Sequence, residues 1–552
     1  MSLRRAPVMV DDLLRDAAAR EPDHVALIVG EERITYGELD ARVSRCAAAF
    51  AAAGLLPRDR IAIQLPNSID TVVTIFGAAR AGAAFLVLHP STKPDKLAYV
   101  LANCAAKAFV SRDAELRFLG EVRAEVPTLG PVFTVGQGPL PDSAGEQVYR
   151  FADALAAAPD RPPRTPRVDL DLAALIYTSG STGKPKGVMH THGSLRAATL
   201  AVVEYLENTR DDVCLDVLPL SFGYGLIQVL CAACAGATVV LERGFSFAFP
   251  IIEAIMKHRV TGFAGVPTIY ALLLELRELE KHDLSSLRYY TNAAGPLPPA
   301  HMDRLRQVFP RARLYSMYGQ TECIRSSFLP PDELDRRPRS VGKGIPNQEH
   351  WVENEDGRPV QPGEVGELVI RGAHVMRGYW AAPEATAKVL KPGRYPGEVV
   401  YYSGDLFTVD EDGFLFFVSR KDDIIKCRGE KVAPREVENV LHAHPAVLEA
   451  AVIGVPDPIL GEAVKAYVVP REGATVVPKE LLGYVKANLE DFMVPKEIEL
   501  REALPKTPSG KVCKSDLRAE VRARAAGAAP AAPAAAAPAP GATPSRTNPE
   551  SA

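Results

Sequence analysis

Residues 177–192 read YTSGSTGKPKGVMHTH. Gly180, Gly183 and Gly187 stand among Thr178, Ser179, Ser181 and Thr182, after the apolar run 173–177 and ahead of a helix-like segment from Ser194. The pattern predicts strand, loop, helix. Glycine tolerates the left-handed angles that turn successive backbone N–H groups onto one anion. The hydroxyls, with Lys184 or Lys186, add donors and charge, so the loop has the chemistry to hold phosphate. It is not a Walker A loop, because only Ser181 and Thr182 separate Gly180 from the Gly183-Lys184 pair, where that motif needs four residues. By composition alone, a flexible Ser/Gly turn fits as well.

On either side of the loop, helical and strand-like segments alternate. Before it, 13–19 reads as helix, 24–29 as strand, 36–54 as an Ala-rich helix closed by glycine, 60–65 as strand and 69–82 as helix. After it, strand-like runs at 213–218, 238–241, 262–266, 288–291 and 313–317 alternate with helical runs at 225–235, 251–258, 268–279 and 301–308. This is an α/β architecture with mostly parallel sheets, which bind ligands beyond the carboxyl ends of their strands. The notable motifs follow Tyr177, Leu218, Val266, Thr291 and Met317, at those ends. From about residue 352 the texture turns to hairpins, with Glu355-Asp356-Gly357 as one turn, and this marks a β-rich subdomain. Past the charged stretch 419–432 a compact α+β pattern follows. The expected division is a large N-terminal domain of several subdomains over 1–421, a small mobile α+β domain over 422–525, and a disordered Ala/Pro-rich tail over 526–552.

A chain of 552 residues with 47% hydrophobic and 24% charged residues reads as globular, soluble and multi-domain, and a net charge of -4 gives no reason to expect nucleic acid. Arg4 and Arg5 meet Asp11 and Asp12 before any apolar core, so the start is not a secretory signal. The uncharged stretch 217–241 is broken by Pro219, Gly223, Gly225 and Gly236, and reads as a buried strand-helix-strand unit instead of a membrane span. Eight scattered cysteines, including a Cys231/Cys234 pair in an apolar helix, read as buried thiols in a reducing, cytoplasmic place.

As a complete string, the loop resembles the signature loop of the adenylate-forming acyl-activating superfamily, which includes acyl-CoA synthetases, peptide-synthetase adenylation domains and luciferases. Further motifs extend the resemblance over about residues 10–518, nearest to the acyl- and aryl-CoA ligases. The resemblance implies that Thr178, Ser179, Gly180, Ser181, Thr182, Gly183 and Lys186 bind ATP phosphates. In YGQTE, 318–322, it assigns Tyr318 and Gly319 to the nucleotide, Thr321 to phosphate and Glu322 to Mg2+, a hard cation that takes carboxylate oxygen. Ala294, Gly295 and Pro296 of NAAGPL lie against adenine, and Asp405 of YSGD accepts from the ribose hydroxyls beside Arg420. Asp422 falls at the hinge. Lys511 of PSGK matches the mobile catalytic lysine, suited to bridge a carboxylate and the α-phosphate as negative charge spreads. Lys426 is a secondary catalytic candidate, and Gly429 marks the thiol tunnel.

The acyl side departs from the common pattern. In LPLSFGYGL, 218–226, Ser221-Phe222 stands where many acyl-CoA ligases have Phe-His. No aspartate is there to pair an α-amine, and a buried unpaired cation costs several kcal/mol. His192 fits the histidine after the loop, and Phe222, Tyr224, Val266, Tyr290, Asn292 and Cys323 are the candidate acyl lining. They suit an aryl or medium-chain aliphatic carboxylic acid. Arg325 either meets a polar acyl group or points to solvent. The implied activity is an ATP- and Mg2+-dependent acid:CoA ligase that works through an acyl-AMP. A carrier-protein phosphopantetheine presents the same thiol as CoA and is the alternative acceptor. Glu322, Asp405, Arg420 and Lys511 together argue against a non-catalytic nucleotide-binding protein.

Overall fold

The computed structural model describes residues 8–139, 147–161, 164–178, 185–245, 247–427, 430–457, 461–507 and 510–525. The expectations for Ser179, Gly180, Ser181, Thr182, Gly183, Gly429 and the tail fall outside these residues.

A nine-stranded sheet runs from Lys343–Gly344 through Ser327–Leu329, Arg313–Tyr318, Tyr289–Asn292, Gly262–Gly265, Val213–Asp216, Thr238–Leu241 and Val25–Val29 to Glu32–Thr35. Its six inner strands, Arg313–Tyr318 to Val25–Val29, are all parallel. Strands such as Thr238–Leu241 and Gly262–Gly265 are buried at every position, as parallel strands covered by helices on both faces must be. Parallel pairing puts the carboxyl ends at Tyr318, Asn292, Gly265 and Asp216 side by side along one edge, where the motifs converge. The helix Gly223–Ala235 follows the last of these ends. A Cβ on Gly225 would stand 2.6 and 2.8 Å from the carbonyl oxygens of Pro219 and Leu218, so only glycine allows this tight return.

The second sheet has seven strands, in the order Val148–Arg150, Val132–Val135, Ala108–Arg112, Arg60–Gln64, Ala84–Val87, Leu172–Thr178 and Lys186–Thr191. Here the expected strand-loop-helix is corrected. Lys186–Thr191 returns as a strand antiparallel to Leu172–Thr178, and the helix His192–Leu206 begins only after it. Thr191 caps that helix, its Oγ1 accepting from the Ser194 amide at 3.0 Å. The strand escaped notice because its buried positions include Gly187, packed beneath the Tyr177 ring, and His190, and so show no aliphatic alternation. The helix expected over 268–279 ends at Leu274, and Glu278 turns left-handed (φ 59°) past its end.

The stretch 217–241 is loop, helix and strand, because the strand expected at its start, Val213–Asp216, ends just before it; no helix among the described residues is long and apolar enough to cross a membrane. All eight cysteines are free. An antiparallel sheet of Gln348–Glu353, Gly366–Gly372, Val399–Val409, Leu390–Pro392 and Leu415–Arg420 forms the β-rich part. The last sheet pairs Val447–Asp457 with Gly461–Pro470, and the helices Pro434–Ala443 and Pro478–Asn488 share a separate core with it. The fold class read from the sequence, parallel α/β sheets with a β-rich part and a small α+β domain, is the fold observed.

Candidate active site

Asp405, on the strand Val399–Val409, faces Arg420 across a register pair with Leu415–Arg420. Its Oδ2 accepts from Tyr318 Oη at 2.7 Å and from Gln320 Nε2 at 2.8 Å, and Tyr401 Oη donates to Gln320 Oε1. Oδ1 is buried without a hydrogen-bond partner, 3.7 Å from Arg420 Nε. Burial pushes the carboxyl up, while Arg420, the Tyr318 hydroxyl and Lys511 pull it down. A carboxylate held by two donors with its second oxygen open is set to accept hydroxyls, and it fits a ribose. Burial works against the charge of Arg420, but Asp405, Asp422 and Asp423 hold the guanidinium above its usual range. Asp422 itself is exposed, 3.2 Å from Arg420 Nε.

At the neighbouring strand end, Asn292 Nδ2 donates to the Gly295 carbonyl at 2.9 Å and closes a turn in which Ala294 adopts φ 68°. A left-handed non-glycine residue costs about 1–2 kcal/mol, and such strain collects at functional sites. The turn leaves Ala294, Gly295 and Pro296 one strand away from Tyr318 and Gly319.

On the phosphate side, Thr178 and Lys186 are register partners at the mouth of the loop. Lys186 Nζ lies 5.3 Å from the centroid of the Tyr379 ring, whose hydroxyl donates to Glu322 Oε1 at 2.7 Å. His190 Nε2 donates to the Thr321 carbonyl at 2.7 Å, which leaves Nδ1 to accept from Ser194 Oγ at 3.2 Å. Burial pushes the His190 imidazole down to about 4, so it is neutral and its tautomer is set by those two partners. The strand Lys186–Thr191 is thus tied toward both Thr321 and Glu322. No cluster of three or more metal-ligating side chains occurs among the described residues. Glu322 alone suits a magnesium ion that takes its other ligands from phosphate and water.

Lys511 arrives from the small domain. Thr507 N donates to the Lys511 carbonyl at 2.7 Å and Gly510 takes φ 81°, which makes a tight turn. The Gly510 carbonyl accepts from Thr268 Oγ1 at 3.0 Å, at the start of the helix Pro267–Leu274 of the large domain. This contact brings Lys511 to Asp405 and Arg420. The side chain meets solvent, yet the surrounding protein, together with Arg420, holds the ammonium below its usual value. Lys426 is exposed on Ile425–Cys427, where its amide donates to Glu462 Oε2 at 2.8 Å, and it is not part of this cluster.

On the acyl side, Phe222 caps the helix Gly223–Ala235 and stands edge-on to Tyr224, with ring centroids 6.3 Å apart. Tyr224 Oη bonds to the Thr291 carbonyl and hydroxyl. Val266 and Cys323 are buried, and burial raises the Cys323 thiol to about 12. Asn292 Oδ1 is buried without a partner. Tyr290, on the same strand face as Asn292, packs on Phe309 at 5.2 Å and Tyr270 at 6.0 Å. One expectation, for His192, needs correction. His192 Nδ1 accepts from the Val10 amide at 3.2 Å, and as the first residue of its helix it faces the N-terminal segment, away from the acyl residues. The histidine at the site is His190, two residues earlier on the strand. Reasoning from sequence passed over it, as it did Gln320, Tyr379 and Tyr401.

Comparison with known proteins agrees with this geometry. Residues 14–380 match the AMP-binding enzyme family, and residues 436–511 match the AMP-binding enzyme C-terminal domain. The feruloyl-CoA synthase of an Amycolatopsis species is 35% identical over 508 residues, covering 91% of this chain and 96% of that protein. The ATP-bound MatB of Rhodopseudomonas palustris is similar with a TM-score of 0.83 at 30% identity, covering 92% of this chain and 98% of that one. A benzoate CoA ligase from Burkholderia xenovorans LB400 is similar with a TM-score of 0.82 at 28% identity, covering 93% and 100%. The chain belongs to the AMP-binding enzyme family, within the adenylate-forming superfamily and among its acyl- and aryl-CoA ligases.

Proposed function

We propose that the protein is an ATP-dependent carboxylic acid:CoA ligase that forms an acyl-AMP and then an acyl thioester, acting on an aryl or medium-chain aliphatic acid in the cytoplasm. The observation that carries this reading is the Thr268–Gly510 contact, which sets Lys511 beside the Asp405–Arg420 pair. Asp405 and Arg420 hold the ribose, the turn 292–297 backs the adenine, and the loop residues from Thr178 to Lys186 hold the β- and γ-phosphates. A magnesium ion at Glu322, steadied by Tyr379, would neutralise phosphate charge. Lys511 bridges the acid's carboxylate and the α-phosphate, a carboxylate oxygen bonds to phosphorus, and pyrophosphate leaves.

In the second half-reaction the small domain, residues 422–525, turns about Asp422 relative to residues 1–421. Gly510 parts from Thr268, Lys511 withdraws, and the segment with Lys426 and Gly429 turns toward the site. The CoA thiolate then attacks the acyl carbon and AMP leaves. The named relatives that act on ferulate and benzoate support an aryl acid, and they support CoA over a carrier protein as acceptor.

The test is a panel of aryl and aliphatic acids with ATP and Mg2+. Acid-dependent ATP–pyrophosphate exchange without CoA, with AMP and thioester formed on adding CoA, is the expected result. Release of ADP and phosphate in place of AMP and pyrophosphate would sink it.

A further inference from the structure

The acyl side holds a cation with no carboxylate partner among the described residues. Arg325 is 2% exposed, three residues after Glu322, and Ile324 before it takes φ 59°, which turns the chain inward. The guanidinium lies over the face of Tyr224, with Cζ 4.9 Å from the ring centroid, and faces the Tyr205 hydroxyl. That hydroxyl gives its proton to Met317 Sδ at 2.9 Å, so its oxygen is free to accept from Arg325. Arg325 Nε is buried with no acceptor, and no carboxylate lies within ion-pairing distance of Arg325 among the described residues. Burial raises the carboxyl of Asp216, whose Oδ1 accepts from the Leu218 amide at 3.0 Å and makes no ion pair with Arg325.

The surroundings place this charge in the acyl compartment. Tyr224 is fixed to Thr291, next to Asn292. Ile324 Cδ1 would lie 3.5 Å from a Cβ at Gly223, beside Phe222, and Arg325 Cα lies 2.9 Å from the Cβ position of Gly319. The guanidinium therefore sits where the ends of three adjacent elements meet. A buried charge without a partner costs several kcal/mol, and a guanidinium is the side chain best matched to a planar, two-oxygen anion.

Resting on the ligase reading above, we propose that Arg325 selects the acid, and that the acid activated here carries a second anionic group, a carboxylate or its equivalent, at the end remote from the reacting carboxylate. Binding would replace the missing counter-charge with a charge-assisted pair and give the unpaired Nε an acceptor. An acid with only an apolar far end leaves the cation unpaired in a site that binding has closed to water. Specificity then comes as much from rejecting the apolar acid as from holding the charged one.

The test measures kcat/KM for ATP–pyrophosphate exchange with matched acids: benzoate against its carboxylated analogues, and hexanoate against adipate. The wild type should favour the second carboxylate by about tenfold or more, the scale of one charge-assisted hydrogen bond. Arg325→Met should lower that ratio at least tenfold and Arg325→Lys less, with thermal unfolding followed to confirm that both variants fold. Exchange in which the apolar acids are preferred, or a ratio unmoved by Arg325→Met, overturns the proposal and leaves the ligase reading standing. Exchange with no acid at all overturns both.

Discussion

The nucleotide end and the acyl end of the site are built in opposite ways. Around Asp405 and Glu322, side chains answer one another: Tyr318 and Gln320 hold Asp405, Tyr401 holds Gln320, Tyr379 holds Glu322 and His190 holds Thr321. The open atom there, Asp405 Oδ1, is where a ligand hydroxyl would come. Around Tyr224 and Asn292, by contrast, Asn292 Oδ1 and Arg325 Nε are buried and unsatisfied. A preorganised end suits a ligand that is the same in every turnover, because electrostatic stabilisation works best when nothing must reorganise. Unpaired groups suit an end that is completed by its particular acid.

That contrast can be broken from the nucleotide side first. Lys511→Ala removes the ammonium that the small domain brings to the Asp405–Arg420 cluster. We expect acid-dependent exchange to fall by about 10²–10³-fold, the scale for losing a preorganised transition-state donor. Thioester formation from supplied acyl-AMP should persist, because Lys511 serves only the first half-reaction. Equal loss of both activities would mean that the lysine supports the fold instead. Next in size is Asp405→Asn, which sets an amide against the two donors Tyr318 and Gln320. The KM for ATP should rise about 10- to 100-fold, in line with the worth of hydrogen bonds to a charged group, with little change in the KM for the acid. Tyr379→Phe is milder. It strips one neutral donor from Glu322, worth about 1 kcal/mol, and should show as a several-fold higher Mg2+ concentration for half-maximal exchange. An unchanged Mg2+ requirement would detach Tyr379 from the metal.

How much of this was legible in the sequence follows the same line. The strand ends could be read because parallel α/β order is a local property of the chain, whereas the turn 292–297, Asp405, Arg420 and Lys511 came from the resemblance of their motifs to the family. What was missed depends on which way a side chain points. His190 and His192 stand two residues apart, and only the unforeseen strand Lys186–Thr191, with its helix starting at His192, sends one to Thr321 and the other to Val10. Arg325 was open to either reading until the left-handed Ile324 turned it inward. Tyr379, Tyr401 and Gln320 had no signal, because their partners lie 57 to 85 residues away in the chain.

The smallest expected effect concerns the junction that decides which half-reaction is in progress. His301, on the helix Pro299–Val308, is 8% exposed, and its Nδ1 has no partner. It faces Arg471 and His442 of the small domain and Arg304 of its own helix, and Arg471 in turn reaches Glu275 of the large domain at 3.2 Å. Burial, then Arg471, His442 and Arg304, push its pKa from the ordinary 6.5 to about 4. Burial lowers His442 too, against the pull of Glu438 and Glu449. A base whose pKa falls on docking binds fewer protons docked than free. Docking is therefore fully supported above about pH 6.5 and loses support as the pH falls toward 4. Because the docked arrangement is the one that presents Lys511, exchange should decline more steeply than thioester formation from supplied acyl-AMP between pH 7 and pH 5. His301→Gln, which cannot take up the proton, should flatten that difference by a few-fold. If wild type and variant give superimposable ratios across the range, the imidazole is a bystander at the junction, and the weakening of docking in acid belongs to His442 alone.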